Sequence, residues 1–243
     1  MLRPRKLRLD EALVARGLYS SRARARDAIL RGTVLVNNAP ARKPSQTINE
    51  TDDLRVHDKA RDYVSRAALK LIAALDHFNI EVEGRKALDI GASTGGFTQV
   101  LLERGASKVI AIDVGHGQMM LDDPRIELRE GVNARDLIRE DVPEDVSLVV
   151  CDVSFIPLAI ALAPVLELAA EGAQLVALVK PQFEVGREGV GKGGMVKDES
   201  KAQEACLSIS NFIEKKGWRV QGIIPSPIDG GDGNAEFLLA AVK

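Results

Sequence analysis

The sequence has few cysteine and histidine residues that could form disulfides or bind a metal, and it lacks long apolar runs. Only two cysteines occur in 243 residues, Cys151 and Cys206, and both lie in apolar segments far apart. We therefore expect reduced thiols in a cytoplasmic protein. The three histidines form no ligand spacing with them, so no metal site is expected. No apolar run approaches the roughly 18 residues of a membrane-spanning helix, and the basic N-terminus lacks the apolar core of a secretory signal.

Aromatic residues are scarce at 4%, and the net charge of −2 conceals an asymmetry. Residues 1–62 contain 14 Lys and Arg against 8 Asp and Glu, a balance of +6. Residues 63–243 contain 19 against 27, a balance of −8. A basic N-terminal segment joined to an acidic remainder of the chain predicts that the basic segment contacts a polyanion. The alternative is that its charged residues form an ordinary solvated surface.

The stretch Lys86–Leu102, KALDIGASTGGFTQVLL, organises the larger part of the chain. A short apolar run precedes a glycine-rich turn, and apolar residues then recur at helical spacing. This strand, turn and helix predict the opening of a nucleotide-binding βαβ unit, with backbone N–H groups available at the helix start. Asp113 ends the next apolar run, 22 positions after Gly91, where a ribose-binding carboxylate is expected.

Apolar runs and helical segments continue to alternate to the end of the chain. This alternation predicts a mostly parallel, doubly wound sheet, whose ligand crevice lies beyond the carboxyl ends of the strands. Asp152 and Lys180 each directly follow an apolar run, so both are expected at that edge. A structural ion pair is the alternative for each of them.

The glycine spacing narrows the choice of ligand. Ser93 stands where a dinucleotide fingerprint needs glycine, and no phosphate-binding loop ending in Gly-Lys-Ser/Thr occurs. The pattern from Asp89 to Gly95 resembles the first motif of S-adenosylmethionine-dependent methyltransferases. The resemblance implies S-adenosylmethionine as cofactor, with a purely structural turn as the alternative.

With that cofactor, the glycine turn is expected to hold the methionine end and Asp113 the ribose. Asn133, after the third strand, is the candidate for the adenine edge. Phe97 could also contact the methionine end, and a core aromatic at the start of the helix is the rival interpretation. The candidate cofactor-binding residues are therefore Gly91, Ser93, Gly95, Gly96, Asp113 and Asn133.

Residues 1–60 form the predicted basic module. The order RLDEALVARGLYSSRARARDAILRGTVLVNN, followed by KPS, resembles the S4-type RNA-binding domain. Such a module implies recognition of RNA through phosphates and shape, which agrees with arginines that lack interleaved aromatics. The candidate RNA-binding residues are Lys6, Arg8, Arg22, Arg24, Arg26 and Lys43.

Residues 61–82 predict a connecting helix, and residues 83–243 the larger domain. The apolar face of this helix includes Leu71 and Leu75, and Lys70 lies off that face. On periodicity alone, Lys70 is an exposed lysine.

Several motifs together resemble the TlyA (hemolysin A) family. These are DIGASTGGFTQVLL, DVGHGQM, REGVNAR, CDVSFIPL, VKPQFEVGRE and SPIDGGDGNAEF. The family implies an S4-type α+β domain followed by an FtsJ-like, Rossmann-like methyltransferase domain with a seven-stranded, mostly parallel sheet. It also implies methyl transfer to a cytidine 2′-hydroxyl of ribosomal RNA, with ribosomal subunits as partners. The catalytic tetrad of the family corresponds to Lys70, Asp152, Lys180 and Glu236.

These residue types suit the reaction, because a ribose hydroxyl must lose its proton as it attacks a methyl group. A free lysine, with a pKa of about 10.4, is protonated at neutral pH. Burial and a second ammonium lower the pKa of a lysine, whereas carboxylates raise it. The hypothesis is that Lys180 is the base, that Lys70 supplies like charge and holds the 2′-oxygen, and that Asp152 and Glu236 orient them.

Two other functions stay open at this stage. One is a non-catalytic RNA-binding or ribosome-assembly factor with a vestigial pocket, and the other is a hemolysin, as the family name suggests. The glycine-rich segment Gly186–Gly194 predicts a mobile lid over RNA, with an ordinary exposed loop as the alternative.

Overall fold

A computed structural model describes residues 6–143 and 145–243. The packing divides the chain into two compact units, one ending at Asp62 and the other running from Tyr63 to Lys243. Each unit has its own apolar core.

The N-terminal unit is a small α+β module. Its elements are β1 (Lys6–Arg8), α1 (Leu9–Ala15), α2 (Arg22–Leu30), β2 (Val34–Val36), β3 (Ala39–Pro40), β4 (Thr47–Asn49) and β5 (Leu54–Val56). β1 pairs with β4, and β2 lies between β3 and β5, all antiparallel. The Ser21 side chain accepts a hydrogen bond from the Arg24 N–H at 3.3 Å and caps α2, as its residue type predicts.

The second unit is built on a seven-stranded sheet. Its strands are β6 (Lys86–Ile90), β7 (Lys108–Asp113), β8 (Ile126–Glu130), β9 (Val146–Cys151), β10 (Gln174–Val179), β11 (Arg219–Pro225) and β12 (Phe237–Val242). The order across the sheet is β11-β12-β10-β9-β6-β7-β8, and β12 runs antiparallel to the other six strands. The predicted fold class, a mostly parallel methyltransferase-type sheet with a small N-terminal α+β module, is confirmed.

Helices cover both faces of this sheet. They are α3 (Ala68–His77), α4 (Gly96–Glu103), α5 (Leu158–Leu168), α6 (Pro181–Glu184), α7 (Gly186–Gly189) and α8 (Glu199–Lys215). One core joins the sheet to α5 and α8, and the other joins it to α3 and α4. The central strands are therefore buried on both faces, which explains their nearly continuous apolar sequences.

The strand order also fixes where a ligand can bind. From β6 the chain builds outward through β7 and β8, then returns to the other side of β6 with β9 and β10. The crevice at such a reversal, beyond the carboxyl ends of the strands, is the usual ligand site of open α/β sheets.

Candidate active site

A cavity of about 690 Å³ lies at the carboxyl ends of the central strands. We call it the glycine-turn cavity, because Gly91 and Ser93 form part of its wall. Apolar side chains line much of it, including Ile112 and Val132, and Asp113 and Asn133 provide polar groups. A concave, largely apolar cavity with a few polar groups is typical of a small-molecule site.

Asp113 ties the glycine turn to the loop that follows β7. Its Oδ2 accepts a hydrogen bond from the Ser93 N–H at 2.8 Å, and its Oδ1 accepts one from the Gly115 N–H at 2.7 Å. A Cβ atom at Gly91 would lie 2.4 Å from the Asp152 carbonyl oxygen, and φ there is +84°. Glycine at position 91 therefore lets β6 and the end of β9 approach closely.

The predicted cofactor-binding residues lie around two adjoining cavities. Gly91, Ser93, Asp113 and Asn133 line the glycine-turn cavity, and Gly91 and Ser93 also line a smaller cavity together with Gly96. A Cβ at Gly95 would meet the Met119 sulfur at 2.6 Å, so the absence of a side chain there permits close packing at the start of α4. Phe97 is buried in the core, as the rival interpretation expects, and it also lines the smaller cavity.

A second cavity, of about 600 Å³, brings together residues that are far apart in the chain. Lys70, Lys180 and Glu236 line it, and we call it the lysine cavity. Lys70 and Glu236 form an ion pair and are only 6% and 5% exposed. The interpretation of Lys70 as an exposed lysine is therefore wrong, because packing of α3 against the end of the sheet buries it.

The fourth tetrad residue reaches this group through Lys180. Asp152 Oδ1 lies 2.5 Å from Lys180 Nζ, an ion pair without the alignment of a hydrogen bond. Lys180 Nζ donates a hydrogen bond to Ser154 Oγ at 2.9 Å. A third cavity of about 180 Å³, lined by Asp152, Ser154 and Lys180, also shares Gly91 with the glycine-turn cavity. The two large cavities thus lie on either side of the Asp152–Lys180 pair.

Phe155 is a site residue that the sequence reasoning missed. It is 90% exposed, has φ of +66°, and lines both the glycine-turn and the lysine cavities. Its ring centroid lies 5.2 Å from that of Phe183. A non-glycine residue with positive φ is uncommon, and such strain concentrates at functional sites. The only sequence signal was an aromatic residue three positions after Asp152, where a core residue was equally plausible.

Two buried side chains beside the site, the Asp89 carboxyl and the Cys151 thiol, have raised pKa values. Burial raises the pKa of Asp89 to about 7, although the Thr98 hydroxyl donates a hydrogen bond to its Oδ2 at 2.6 Å. Asp89 Oδ1 has no hydrogen-bond partner among the residues that the structure describes. Cys151 is fully buried, and burial raises the pKa of its thiol, which agrees with a packing role rather than a nucleophilic one.

The candidate RNA-binding residues of the N-terminal unit fall into two groups. All of them except Arg24 are exposed, and Arg8, Arg22 and Arg24 form contacts within the protein. Arg8 and Arg22 both contact the buried Asp10, at 3.0 and 3.1 Å, and Arg24 donates hydrogen bonds to two backbone carbonyls, those of Ala60 and Arg61. The Arg8 guanidinium, with that of Arg22, holds the pKa of Asp10 below its usual value.

Comparison with known proteins identifies the family. Residues 63–243 match the FtsJ-like methyltransferase family, and residues 7–54 match the S4 domain. The 16S/23S rRNA (cytidine-2′-O)-methyltransferase TlyA of Mycobacterium tuberculosis is 45% identical over 239 residues, covering 97% of this chain and 89% of that protein. The chain belongs to the TlyA family of FtsJ-like methyltransferases. The resemblance stated from the sequence motifs is thereby confirmed.

Other members of the TlyA family carry a different name. Hemolysin A of Brachyspira hyodysenteriae is 39% identical, over 96% of this chain and 98% of its own length. A solved structure from Streptococcus thermophilus, also named a hemolysin, is 39% identical with a TM-score of 0.76, over 99% of this chain and 89% of its own. No helix within residues 6–143 and 145–243 has the length and apolar character needed to cross a membrane.

Solved structures of low sequence identity share only the fold with this chain. An S-adenosylmethionine-dependent methyltransferase from Mesorhizobium loti has a TM-score of 0.52 at 16% identity, over 70% of this chain and 96% of its own.

Proposed function

We propose that this protein transfers a methyl group from S-adenosylmethionine to the ribose 2′-hydroxyl of a cytidine in ribosomal RNA. The observation that carries the proposal is the meeting of two cavities at the Asp152–Lys180 pair, with Lys70 and Glu236 on the lysine cavity. The name of the Mycobacterium tuberculosis relative supports the same reaction and the same class of substrate.

The glycine-turn cavity fits the proposed cofactor. Each Asp113 carboxylate oxygen accepts one backbone N–H and retains a lone pair, so the carboxylate can also accept from ribose hydroxyls. Apolar residues such as Val132 and Ile160 suit a flat adenine ring, and Asn133 lies on the same wall. When bound, S-adenosylmethionine supplies an electrophilic methyl group on a sulfonium.

Lys180 is the proposed general base. The 2′-hydroxyl proton would pass to its Nζ as the 2′-oxygen forms a bond to the methyl carbon and the bond from that carbon to sulfur breaks. Asp152 and Ser154 contact the same Nζ and restrict its orientation. Lys70, held by Glu236 in the wall of the lysine cavity, can then donate a hydrogen bond to the 2′-oxygen.

The lysine cavity is the proposed acceptor site. Phe155 and Phe183 give it an aromatic wall, on which a base can stack when its nucleotide leaves the helix. The exposed Lys6, Arg26 and Lys43 of the N-terminal unit are proposed phosphate contacts. Arg8, Arg22 and Arg24 already have partners within the protein, so for them an RNA contact would be additional.

We propose the same three parts as the sequence predicts. They are an RNA-binding module at 1–60, a connecting segment at 61–82 that contains Lys70, and a methyltransferase domain at 83–243. The division of the packing after Asp62 supports the first boundary. Ribosomal RNA as substrate would also place the protein in the cytoplasm, which stays a prediction.

The test is incubation of the purified protein with methyl-labelled S-adenosylmethionine and ribosomal subunits. Label on ribose, recovered as an alkali-resistant dinucleotide that contains cytidine, is the expected result. Label on a base would contradict the ribose assignment. RNA binding without any label would favour the non-catalytic RNA-binding factor.

A further inference from the structure

Ser154 occupies the point where the three cavities of the site meet. It lines the glycine-turn cavity, the lysine cavity and the small cavity between them. Its hydroxyl oxygen accepts a hydrogen bond from Lys180 Nζ at 2.9 Å. Neither the motif comparison nor the tetrad assigns any role to this serine.

The contacts around Lys180 Nζ leave one direction free. An amine nitrogen at the end of a lysine has three positions besides its bond to Cε. Ser154 Oγ, at 2.9 Å, takes one, and Asp152 Oδ1 lies at 2.5 Å on a second side. Among the contacts of the described residues, the remaining side is open to the acceptor hydroxyl.

The backbone directly after this serine has an uncommon conformation. Phe155, the next residue, has φ of +66°, and the chain turns there between β9 and α5. A left-handed phenylalanine persists only where its surroundings fix it. The turn directs Phe155 outward, at 90% exposure, while the hydroxyl of Ser154 contacts Lys180.

We propose that Ser154 is a positioning residue for the base, and this inference rests on the proposed function. In the neutral amine, one N–H donates to Ser154 and the Asp152 carboxylate lies on a second side of Nζ, which leaves the lone pair free to face the 2′-hydroxyl. The O–H bond of the acceptor breaks, its proton joins Nζ, and the electron pair left on oxygen forms the bond to the methyl carbon. The bond from that carbon to the sulfonium sulfur would break at the same time, and its electron pair would stay on sulfur, so that a neutral thioether leaves. The resulting ammonium keeps both partners. Without Ser154, the amine rotates about its bond to Cε, and the lone pair faces the acceptor only part of the time.

The test compares Ser154→Ala with Ser154→Thr and with a matched control, Ser208→Ala, which removes an exposed hydroxyl from α8. Methyl transfer to ribosomal subunits is measured at varied RNA and varied S-adenosylmethionine, and cofactor binding is measured separately by calorimetry. For Ser154→Ala we expect kcat to fall roughly 10- to 100-fold, since misplacement of a reacting group has effects of this size. Both KM values and the cofactor Kd should stay within about twofold.

Ser154→Thr retains the hydroxyl and should recover most of the lost kcat, and Ser208→Ala should behave as wild type. An unchanged kcat in Ser154→Ala, with an active wild type, would overturn only the role of Ser154. A rise in the RNA KM or in the cofactor Kd without a fall in kcat would show that Ser154 binds a substrate and would also overturn it. An inactive wild type would instead overturn the proposed function, and this inference with it.

Discussion

Lys70 in α3 and Glu236, directly before β12, form a buried ion pair although 166 positions separate them. The pair joins the helix that precedes the sheet to the last strand of the sheet, beside the lysine cavity. Removal of one member of a buried pair leaves the other charge without a partner, which costs about 3–5 kcal/mol. Replacement of both members by apolar residues avoids that cost.

We therefore expect Lys70→Met to lower the free energy of unfolding by about 3–5 kcal/mol and to abolish methyl transfer. The double variant Lys70→Met/Glu236→Leu should recover most of the stability but none of the activity. Urea unfolding and the labelled-methyl assay measure the two effects. An active double variant would show that the pair is dispensable for transfer, and a fully stable single variant would show that Glu236 finds another partner.

Lys180→Ala removes the proposed base while leaving the glycine-turn cavity with its own contacts, since Lys180 is not among the residues that line that cavity. Methyl transfer should be lost, by at least about 100-fold, the lower end of general-base contributions. Calorimetry should find S-adenosylmethionine binding nearly unchanged. Equal loss of binding and transfer would assign Lys180 a structural role.

Asp113→Asn tests the cofactor site. An amide nitrogen would replace one carboxylate oxygen and would face the N–H of Ser93 or Gly115 as a second donor. We expect the cofactor Kd to rise roughly 10- to 100-fold, because hydrogen bonds to a charged group contribute about 1.5–3 kcal/mol. Asp76→Asn is the control, since this exposed α3 carboxylate pairs with Arg104 on the surface. Equal affinity in both variants would remove Asp113 from the cofactor site.

Phe155→Ala tests the acceptor site. Stacking of a base on an aromatic ring contributes about 1–3 kcal/mol, so the KM for RNA should rise roughly 5- to 100-fold. Because Phe155 also lines the glycine-turn cavity, the cofactor Kd is measured as well, and we expect it to rise less than the KM for RNA. Leu207→Ala, at an exposed apolar residue of α8, is the control. If both variants retain the wild-type KM, the ring does not contact the nucleotide.

The seven-stranded sheet was predictable because each central strand is apolar along nearly its whole length and ends in a polar residue or a turn. The short strands β1, β3 and β4 were not predicted, since two or three residues carry too little alternation to distinguish a strand from a turn or loop. Part of the predicted lid, Gly186–Gly189, forms the short helix α7, and its motion stays a prediction.

The site was predictable only through motifs. Periodicity alone placed Lys70 on an exposed face, because its burial depends on Glu236 at the far end of the chain. Nothing in the local sequence distinguished Phe155 from a core residue, because its exposure follows from a left-handed turn that the residue type disfavours.

Asp89, beneath the glycine turn, predicts a pH dependence of stability. Burial raises its pKa in the folded protein to about 7, with smaller contributions from the charges of Asp152 and Asp113, against about 3.9 for an unfolded aspartate. The folded state therefore binds the proton more tightly. The resulting stabilisation is complete below about pH 4 and is lost as the pH rises through about 7.

Asp89→Asn removes this titration while retaining an oxygen that can accept from Thr98. Relative to this variant, the wild type should lose on the order of 4 kcal/mol of unfolding free energy between about pH 4 and pH 8, and no more above it. Urea unfolding of both proteins at several pH values gives the difference directly. Because every other ionisable group is common to the two proteins, parallel curves over this range would show that Asp89 does not titrate there.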